Sequence, residues 1–333
     1  MKKELSLILS LIIALIIVNG AFAENFNLKI SSMATAKDPW GQHILRMSEA
    51  VEKATNGTIK ITPFLGSKLG AELDVIKQVA RGRIDMGAFA LAGASSMIRE
   101  LALLGTPFLF DTAKQCDCVL DNHLAKLFDE MFKKKGLKLI GYNETGTFSM
   151  FSKEPIIIPA DAKNWKLRIN QSKFSILMWQ SVGANPVPLP MSEFPAAIQT
   201  GMVNGGDLNP IFYLSFGFNK LAPHLTLTQH SRQPGFYLIN LKTWNRFSET
   251  QREQFMSSLE SIAGFRKQIR GLEAMMAEKY EKAGGPVHHL TPEQKQMWLD
   301  VVVPNHEKMI DMVGGKSAMV WEVIQKGKAA CGR

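Results

Sequence analysis

Arg168 is the residue whose type and position most clearly indicate chemistry. It lies in the short segment from Lys166 to Asn170, between the apolar residues Leu167 and Ile169. A guanidinium group keeps its charge in proteins, so its burial requires an anionic partner. Two interpretations stay open on these residues alone. One is a structural salt bridge to an aspartate or glutamate, and the other is bidentate hydrogen bonding to the carboxylate of a ligand in a cleft.

The segments around Arg168 predict a β-α-β-α-β unit. The alternation of apolar and polar residues from Lys166 to Asn170 is typical of a strand. Ser172 can cap a helix that ends at Gly183, and the prolines between Asn185 and Pro190 favour extended backbone. The unit is completed by a helix from Ser192 to Gly201 and a strand from Val203 to Asn209.

The N-terminal part of the chain predicts a similar unit. Strict alternation from Phe26 to Ile30 indicates a first strand, and Asp38-Pro39 is a helix start because aspartate suits the N-cap and proline the first turn. Further predicted elements are strands from Thr58 to Thr62 and from Ile84 to Ala90, with a helix through Leu73, Ile76 and Val79 between them. This succession predicts an α/β fold with a parallel sheet flanked by helices.

Signatures of several enzyme and cofactor-binding classes are absent from the sequence. The chain has no Gly-x-Ser-x-Gly elbow, no Gly-x-Gly-x-x-Gly turn and no Walker loop. His306-Glu307 lacks the second histidine of a zinc protease. The basic residues are scattered without interleaved aromatic residues, so no nucleic-acid partner is expected. No cofactor is expected either, although an enzyme with dispersed catalytic residues stays open.

Residues 1–23 have the features of a secretory signal peptide. Two lysines precede an apolar run, and Ala21-Phe22-Ala23 fits the small-x-small cleavage site. The run is shorter than the roughly 20 residues of a membrane span, so we expect an exported protein that is not membrane-embedded. About 310 residues remain (333 − 23), enough for two domains. The formal net charge falls from +9 to +8 (two lysines and one glutamate are lost) and favours anionic solutes.

The three cysteines predict at most one disulfide bond. Cys116 and Cys118 are too close in sequence for a comfortable bridge, so Cys331 would pair with one of them and leave the other as a free thiol. A metal site would need more ligands at better spacing.

The residues from Trp165 to Pro210 resemble the solute-binding proteins of tripartite ATP-independent periplasmic (TRAP) transporters. The matching stretches are Lys-Leu-Arg, then Val-Gly-Ala-Asn-Pro-Val-Pro-Leu-Pro, then Ser-Glu-Phe-x-x-x-Ile-Gln-Thr-Gly-Met-Val-Asn-Gly, and a final Asn-Pro. The loop from Pro63 to Gly70 and the motif Thr106-Pro107-Phe108-Leu109-Phe110 are similar to the first domain of that family.

The resemblance implies the two-domain fold of a DctP-type periplasmic binding protein. That fold has mixed sheets flanked by helices, a ligand cleft between the domains and a long helix that spans both. The helical pattern from Ser248 to Gly284 fits the long helix, and an ordinary core helix would break near Gly264 or Gly271. Domain I would comprise residues 24–145 and about 234–270, and domain II residues 146–233 and about 271–333. The domains would close about crossings near Gly146 and Gln233.

The resemblance also implies a set of site residues. Arg168 matches the carboxylate-binding arginine of the family, Asn209 the ligand-contacting asparagine before proline, and Met191 a wall position. Receptors for sialic acid have a second arginine at Phe148, glutamate at about Ala90 and asparagine at about Met33. The residues expected to line the cleft are Arg168, Asn209, Phe148, Met191, Phe89, Ala90, Met33 and Asn170.

These residues predict a receptor that delivers a small organic carboxylate to TRAP permease subunits. One cation among apolar side chains favours a monocarboxylate with an apolar body over a sugar acid or C4-dicarboxylate. The alternatives are a receptor for an ATP-driven (ABC) importer or a sensor kinase, and a secreted α/β enzyme. A monomer is expected, and a dimer is left open.

Overall fold

The computed structural model describes residues 24–332 except 171 and 261, so the predicted signal peptide lies outside the described residues. Nine strands are described: β1 (Phe26–Ser32), β2 (Ile59–Phe64), β3 (Met86–Phe89), β4 (Leu137–Ser152), β5 (Lys166–Ile169), β6 (Asn185–Pro188), β7 (Gly205–Leu208), β8 (His224–Asn240) and β9 (Val287–His288). The α-helices in the described residues are α1 (Pro39–Ala54), α2 (Glu72–Ala80), α3 (Leu91–Ser95), α4 (Ala113–Cys118), α5 (Ala125–Lys133), α6 (Lys173–Ser181), α7 (Phe194–Gln199), α8 (Pro210–Ser215), α9 (Leu241–Arg246), α10 (Glu249–Ser258), α11 (Ile262–Lys282), α12 (Pro292–Val302), α13 (His306–Val313) and α14 (Ser317–Cys331).

The strands form one mixed sheet in the order β2-β1-β3-β8-β4-β7-β5-β6, with β9 beside β8. The β1–β2, β1–β3, β5–β6 and β5–β7 pairs are parallel, whereas β3–β8, β4–β8 and β4–β7 are antiparallel. The predicted α/β class is therefore confirmed, and the sheet is continuous because β4 and β8 are long enough to join its two halves.

The long strands β4 and β8 carry the connection between the halves. Gly146 and Gln233 are register partners at the middle of this pair, and the register shifts on both sides of them. Gly146 has φ +106°, a backbone conformation that side chains with a Cβ rarely adopt. The two predicted crossing points thus lie directly opposite each other in the structure.

Several helix starts follow the predicted capping chemistry. The Asp38 carboxylate accepts the Gly41 N–H at 2.9 Å ahead of α1. Ser172 caps α6, and Ser248 forms a capping box with Gln251 at the start of α10. Each such cap stabilises a helix by about 1 kcal/mol, so local residues set these boundaries.

The predicted long helix from Ser248 to Gly284 is wrong as a single element. The chain forms α10 and α11 instead, and Leu259, which follows α10, has extended backbone with φ −67° and ψ 134°. Leu259 is partly buried against the core of β1–β3, and that packing interrupts the helix. Gly264 and Gly271, the predicted break points, both lie inside α11. The 21 residues of α11 extend over about 32 Å.

The hydrophobic core is divided in the same way as the sheet. One cluster joins β1, β2, α1 and the end of β8, and a second joins β5, α6 and α12, where Trp179 packs edge-on against Trp298. The largest cluster extends from Val75 to Ile324 and includes residues of both halves. Burial of each large apolar side chain contributes about 1.5–3 kcal/mol.

Cys331 forms a disulfide bond with Cys118, and Cys116 is a buried free thiol. This settles the pairing that the sequence left open. The bond attaches the end of α14 to the end of α4, across 213 residues of sequence. Among the described residues, no helix combines the length and apolar character that crossing a membrane requires.

Candidate functional site

The carboxyl ends of the parallel strands in the two halves point toward each other. Phe89, at the end of β3, is the register partner of Phe236 on β8, which in turn is the register partner of Tyr142 on β4. Leu208, at the end of β7, is the register partner of Ser149 on β4. The two edges are thus seven residues apart along β4 (149 − 142), at most about 23 Å. Ligands of open α/β sheets bind beyond the carboxyl ends of strands, so this gap is the candidate cleft.

Arg168 lies in β5, one residue before this edge, and is only 4% exposed. Its Nε donates to the backbone oxygen of Leu189 at 3.0 Å, which fixes one side of the guanidinium. Within the described part of the chain, no carboxylate oxygen lies within 4.0 Å of its guanidinium nitrogens. Burial lowers the pKa of Arg168, and the charge of Asp207 opposes that effect. The direct salt bridge that the sequence left open is therefore not formed.

Asp207 is the carboxylate whose charge acts on the pKa of Arg168, and no local sequence pattern indicates this role. It is fully buried in β7, where its Oδ2 accepts the indole N–H of Trp179 at 2.9 Å and lies 3.5 Å from Nε2 of His230. Its Oδ1 has no hydrogen-bond partner. His230 is held from its other side by the hydroxyl of Thr228, 2.8 Å from Nδ1. The Asp207 carboxylate therefore acts on Arg168 through space, without contacting its guanidinium.

The side chains of the two asparagines of the predicted site form hydrogen bonds within the protein. The Asn209 side chain caps α8 by accepting the Phe212 N–H at 2.9 Å, and its amide nitrogen donates to the Thr145 oxygen at 2.6 Å. Asn209 therefore links the end of β7 to the crossing segment of β4. Asn170 is partly buried, and its Oδ1 accepts from the hydroxyls of Ser172 and Ser175.

Phe148 and Met191 place apolar side chains in this region. Phe148 lies on the stretch of β4 between the two edges and is 7% exposed, packed within the largest core cluster. Met191 follows β6 and is partly buried against the same cluster. The structure places no charged group at either position, as the sequence indicates.

The predicted residues of the first half lie at the ends of β1 and β3. Met33 follows β1 and is 45% exposed, whereas Phe89 is almost fully buried at the end of β3. Ala90 is partly buried, and its N–H donates to Oε1 of Glu72 at 2.7 Å. The position of Glu72 beside Ala90 was not predicted from the sequence. Burial raises the pKa of the Glu72 carboxyl to about 7. This edge therefore does hold a carboxyl group beside Ala90, contributed by α2.

One group of described residues has the donors of a metal site. Side-chain donor atoms of Cys118, His123 and Cys331 lie within 4.8 Å of one another. Both thiols are consumed by the disulfide bond, so the group leaves a single imidazole and does not fit a metal ion.

Comparison with known proteins gives consistent results. The family model for the bacterial extracellular solute-binding protein, family 7 (DctP), matches residues 30–312. A C4-dicarboxylate-binding periplasmic protein of Rhodobacter capsulatus is 23% identical over 300 residues, which cover 89% of this chain and 90% of that protein.

Solved structures share the fold. A sugar acid binding protein from Advenella mimigardefordensis in complex with galactonate has a TM-score of 0.83 and 23% identity, covering 93% of this chain and 100% of the other. A TRAP periplasmic solute binding protein from Desulfovibrio salexigens with bound orotic acid has a TM-score of 0.82 and 20% identity, covering 92% and 99%. The matched proteins are solute receptors rather than enzymes.

Proposed function

The chain belongs to the bacterial extracellular solute-binding protein family 7, the periplasmic receptors of TRAP transporters that bind small organic acids, and from this premise we propose its ligand and partner. The ligand is a small organic monocarboxylate with an apolar body. Arg168 binds its carboxylate in the cleft, and the loaded receptor delivers it to TRAP permease subunits.

The guanidinium of Arg168 carries this proposal. It is buried at the cleft edge, held at Nε by Leu189, and without a carboxylate of the described chain in contact. A buried charge without a direct partner is costly, and a ligand carboxylate would supply two charge-assisted hydrogen bonds to the remaining nitrogens. Asp207 offsets part of the charge while the site is empty.

The argument for one carboxylate rests on the other candidate positions. Phe148, Met191, Met33, Phe89 and Ala90 provide no cation, so a second ligand carboxylate would meet apolar side chains and the carboxyl of Glu72. An unpaired buried charge costs several kcal/mol. The exposed parts of Met33, Ala90 and Met191 favour an apolar body, at about 25 cal/mol per Å² buried, and methionine adapts to irregular shapes.

The ligands of similar proteins include a C4-dicarboxylate, galactonate and orotic acid. All are carboxylates, which supports the role proposed for Arg168. Orotic acid has one carboxylate on a flat but polar ring, so a cyclic monocarboxylate fits this fold in at least one similar protein.

We further propose that ligand binding closes two domains about Gly146 and Gln233. Residues 24–145 and about 234–270 form the first domain, and residues 146–233 and about 271–333 the second. The pairing of Gly146 with Gln233, between register shifts of the sheet, supports a hinge there. In this division the disulfide of Cys118 and Cys331 joins the domains, so closure leaves the distance between those residues unchanged.

A thermal-shift panel followed by calorimetry tests the proposed ligand class. We expect branched-chain, aromatic or keto monocarboxylates to raise the melting temperature, with little effect from succinate, glucuronate or sialic acid. Stabilisation by succinate or a sugar acid, without any by the apolar monocarboxylates, would overturn the assignment. Transport of the best ligand by reconstituted TRAP permease subunits separates this receptor from one that serves an ABC importer or a sensor kinase.

A further inference from the structure

A cavity of about 450 Å³ lies beneath the hinge strands, along one face of α11. Its inner walls are Thr147 and Ser149 of β4 with Arg232 of β8, and Ala113 of α4 borders it from the first half of the chain. The α11 residues that line it are Arg270, Glu273, Ala274, Ala277, Glu278 and Glu281. We call this space the hinge cavity.

The hinge cavity is separate from the cleft residues described above. Thr147 pairs with Arg232 and Phe148 pairs with Ser231, in regular register. Successive side chains of a strand point to opposite faces of the sheet, so Thr147 and Arg232 share the face opposite Phe148. Arg168 is not among the lining residues.

Arg232 differs from the two arginines beside it. Arg266 makes two hydrogen bonds to Asp121, at 2.7 and 3.0 Å, and Arg270 makes two to Asp117, at 2.8 and 2.7 Å. Arg232 has a long contact of 3.5 Å with the Thr147 hydroxyl, and no described carboxylate oxygen lies within 4.0 Å of it. It is only partly buried.

Neutral hydrogen-bonding groups lie beside Arg232 in the cavity, and the α11 side of the cavity also carries the carboxyls of Glu273, Glu278 and Glu281. Glu278 is paired with Lys282 and Glu281 with His289. The hydroxyls of Thr147 and Ser149 and the amide of Gln229 line the same cavity. Thr147 and Ser149 are almost fully buried, whereas Gln229 is exposed at the cavity rim. A planar cation flanked by hydroxyl and amide donors suits an oxyanion, because each oxygen can accept a hydrogen bond.

We propose that the hinge cavity is a second binding site, specific for a small oxyanion, in which Arg232 pairs with the anion and Thr147, Ser149 and Gln229 complete the hydrogen bonding. The shared chemistry admits a short organic carboxylate or an inorganic oxyanion. Because Ala113 precedes the crossing at Gly146 and Ser149 follows it, an occupant contacts both halves of the chain. Binding there therefore couples to the hinge.

Glu273 gives the site a dependence on pH. Its carboxyl borders the cavity, accepts the Thr147 N–H at 2.7 Å and is faced by Glu144, Arg232 and Arg270. Burial raises the pKa of Glu273 to about 8, so it is mainly uncharged at neutral pH. Above that pH it becomes a carboxylate beside the anion site. The oxyanion therefore binds more weakly at pH 9 than at pH 6.5.

Calorimetric titration with sodium acetate, phosphate and sulfate, at ionic strength fixed with sodium chloride, tests the site. We expect saturable binding of at least one of these probes, weakened at least about tenfold in Arg232→Gln because charge-assisted hydrogen bonds are lost. Thr147→Val should weaken it as well while preserving the shape of the side chain. Arg83→Gln, which removes an exposed arginine elsewhere, should bind the probes like wild type. Arg168→Gln, which removes the cation of the cleft, should retain the binding that Arg232→Gln weakens.

Three results would overturn the proposal. The first is the absence of saturable binding by all three probes. The second is unchanged binding in a folded Arg232→Gln or Thr147→Val variant. The third is loss of binding in Arg168→Gln alone, which would place the anion in the cleft. That last outcome supports the cleft function while refuting the second site, so the two proposals fail independently.

Discussion

Arg168 and Asp207 lie on adjacent strands of the sheet, both buried, without forming an ion pair. Arg168 pairs in register with Gly206, the neighbour of Asp207, and the Asp207 carboxylate is held by Trp179 and His230 instead. The negative charge offsets that of Arg168 through space and leaves the end of the guanidinium available. In the proposed ligand site, the cation is therefore already held in position in the empty protein.

Replacing Arg168 tests the proposed carboxylate contact. Loss of a charge-assisted hydrogen bond costs roughly 1.5–3 kcal/mol, so Arg168→Ala should weaken binding of the best ligand at least about tenfold in calorimetry. Arg168→Lys should recover only part of the affinity, because an ammonium group lacks the planar fork. Arg83→Ala, at an exposed position, serves as the control. Equal affinity of wild type and Arg168→Ala would remove Arg168 from the site.

Asp207→Asn should have opposite effects on the empty and loaded protein. Removing the buried negative charge leaves Arg168 without compensation, so the free energy of unfolding of the empty protein should fall. The ligand carboxylate then becomes the main partner of Arg168, and the ligand-induced rise in melting temperature should exceed that of wild type. A smaller rise in Asp207→Asn would show that Asp207 does not act through Arg168.

Gly146→Ala should destabilise the protein, whereas Gly271→Ala should not. A Cβ at position 146 would lie 2.4 Å from Oε1 of Glu273 and 2.8 Å from Cβ of Asn209, on backbone with φ +106°. Gly271 is helical with no atom within 4 Å of the added Cβ, so alanine there should stabilise by up to about 1 kcal/mol. Urea unfolding of both variants measures the difference, and equal stabilities would contradict the crowding at the hinge.

Glu273→Gln should remove part of the pH dependence of stability. The pKa of Glu273 is raised in the folded protein, from 4.5 to about 8, so the folded state retains a proton that the unfolded state releases. This contribution is complete below about pH 4.5 and is lost as the pH rises toward 8. Wild type should therefore lose on the order of 1 kcal/mol or more relative to Glu273→Gln between pH 5 and pH 8.5. If wild type and Glu273→Gln differ in free energy of unfolding by the same amount at both pH values, the raised pKa of Glu273 is refuted.

Cys331→Ser should lower stability by about 2–5 kcal/mol, because the disulfide closes a very long loop of the unfolded chain. Wild type treated with a reductant should unfold at the same urea concentration as the variant. Cys331→Ser should itself be insensitive to the reductant, since Cys118 then has no partner. A reductant-sensitive variant would indicate a different pairing through Cys116.

The segments with local signals were predictable from the sequence. Strand β5 and the caps at Asp38, Ser172 and Ser248 follow from residues within a few positions of each other. The break at Leu259 was not predictable in this way. Its extended backbone depends on packing against a core that includes residues of β1 and β2, about two hundred positions earlier.

The candidate site was predictable to a similar extent. The position of Arg168 at a strand end follows from the local pattern, whereas its relation to Asp207 depends on how β5 pairs with β7. The same holds for Glu72, whose carboxyl reaches Ala90 from a different element. Arg232 gave no signal, because its lack of a carboxylate partner can be recognised only beside the paired Arg266 and Arg270.

The place of β8 in the sheet determines the order in which the chain can fold. Strand β3 is flanked by β1 and by residues 236–239 of β8, about 150 positions later. Pairings between such distant segments are slow, because a long loop must close before any contact forms. As long as residues 236–239 have not joined the sheet, β3 therefore has an unpaired edge. The first half of the sheet therefore cannot be completed before β8 has joined it, so the two halves must fold together.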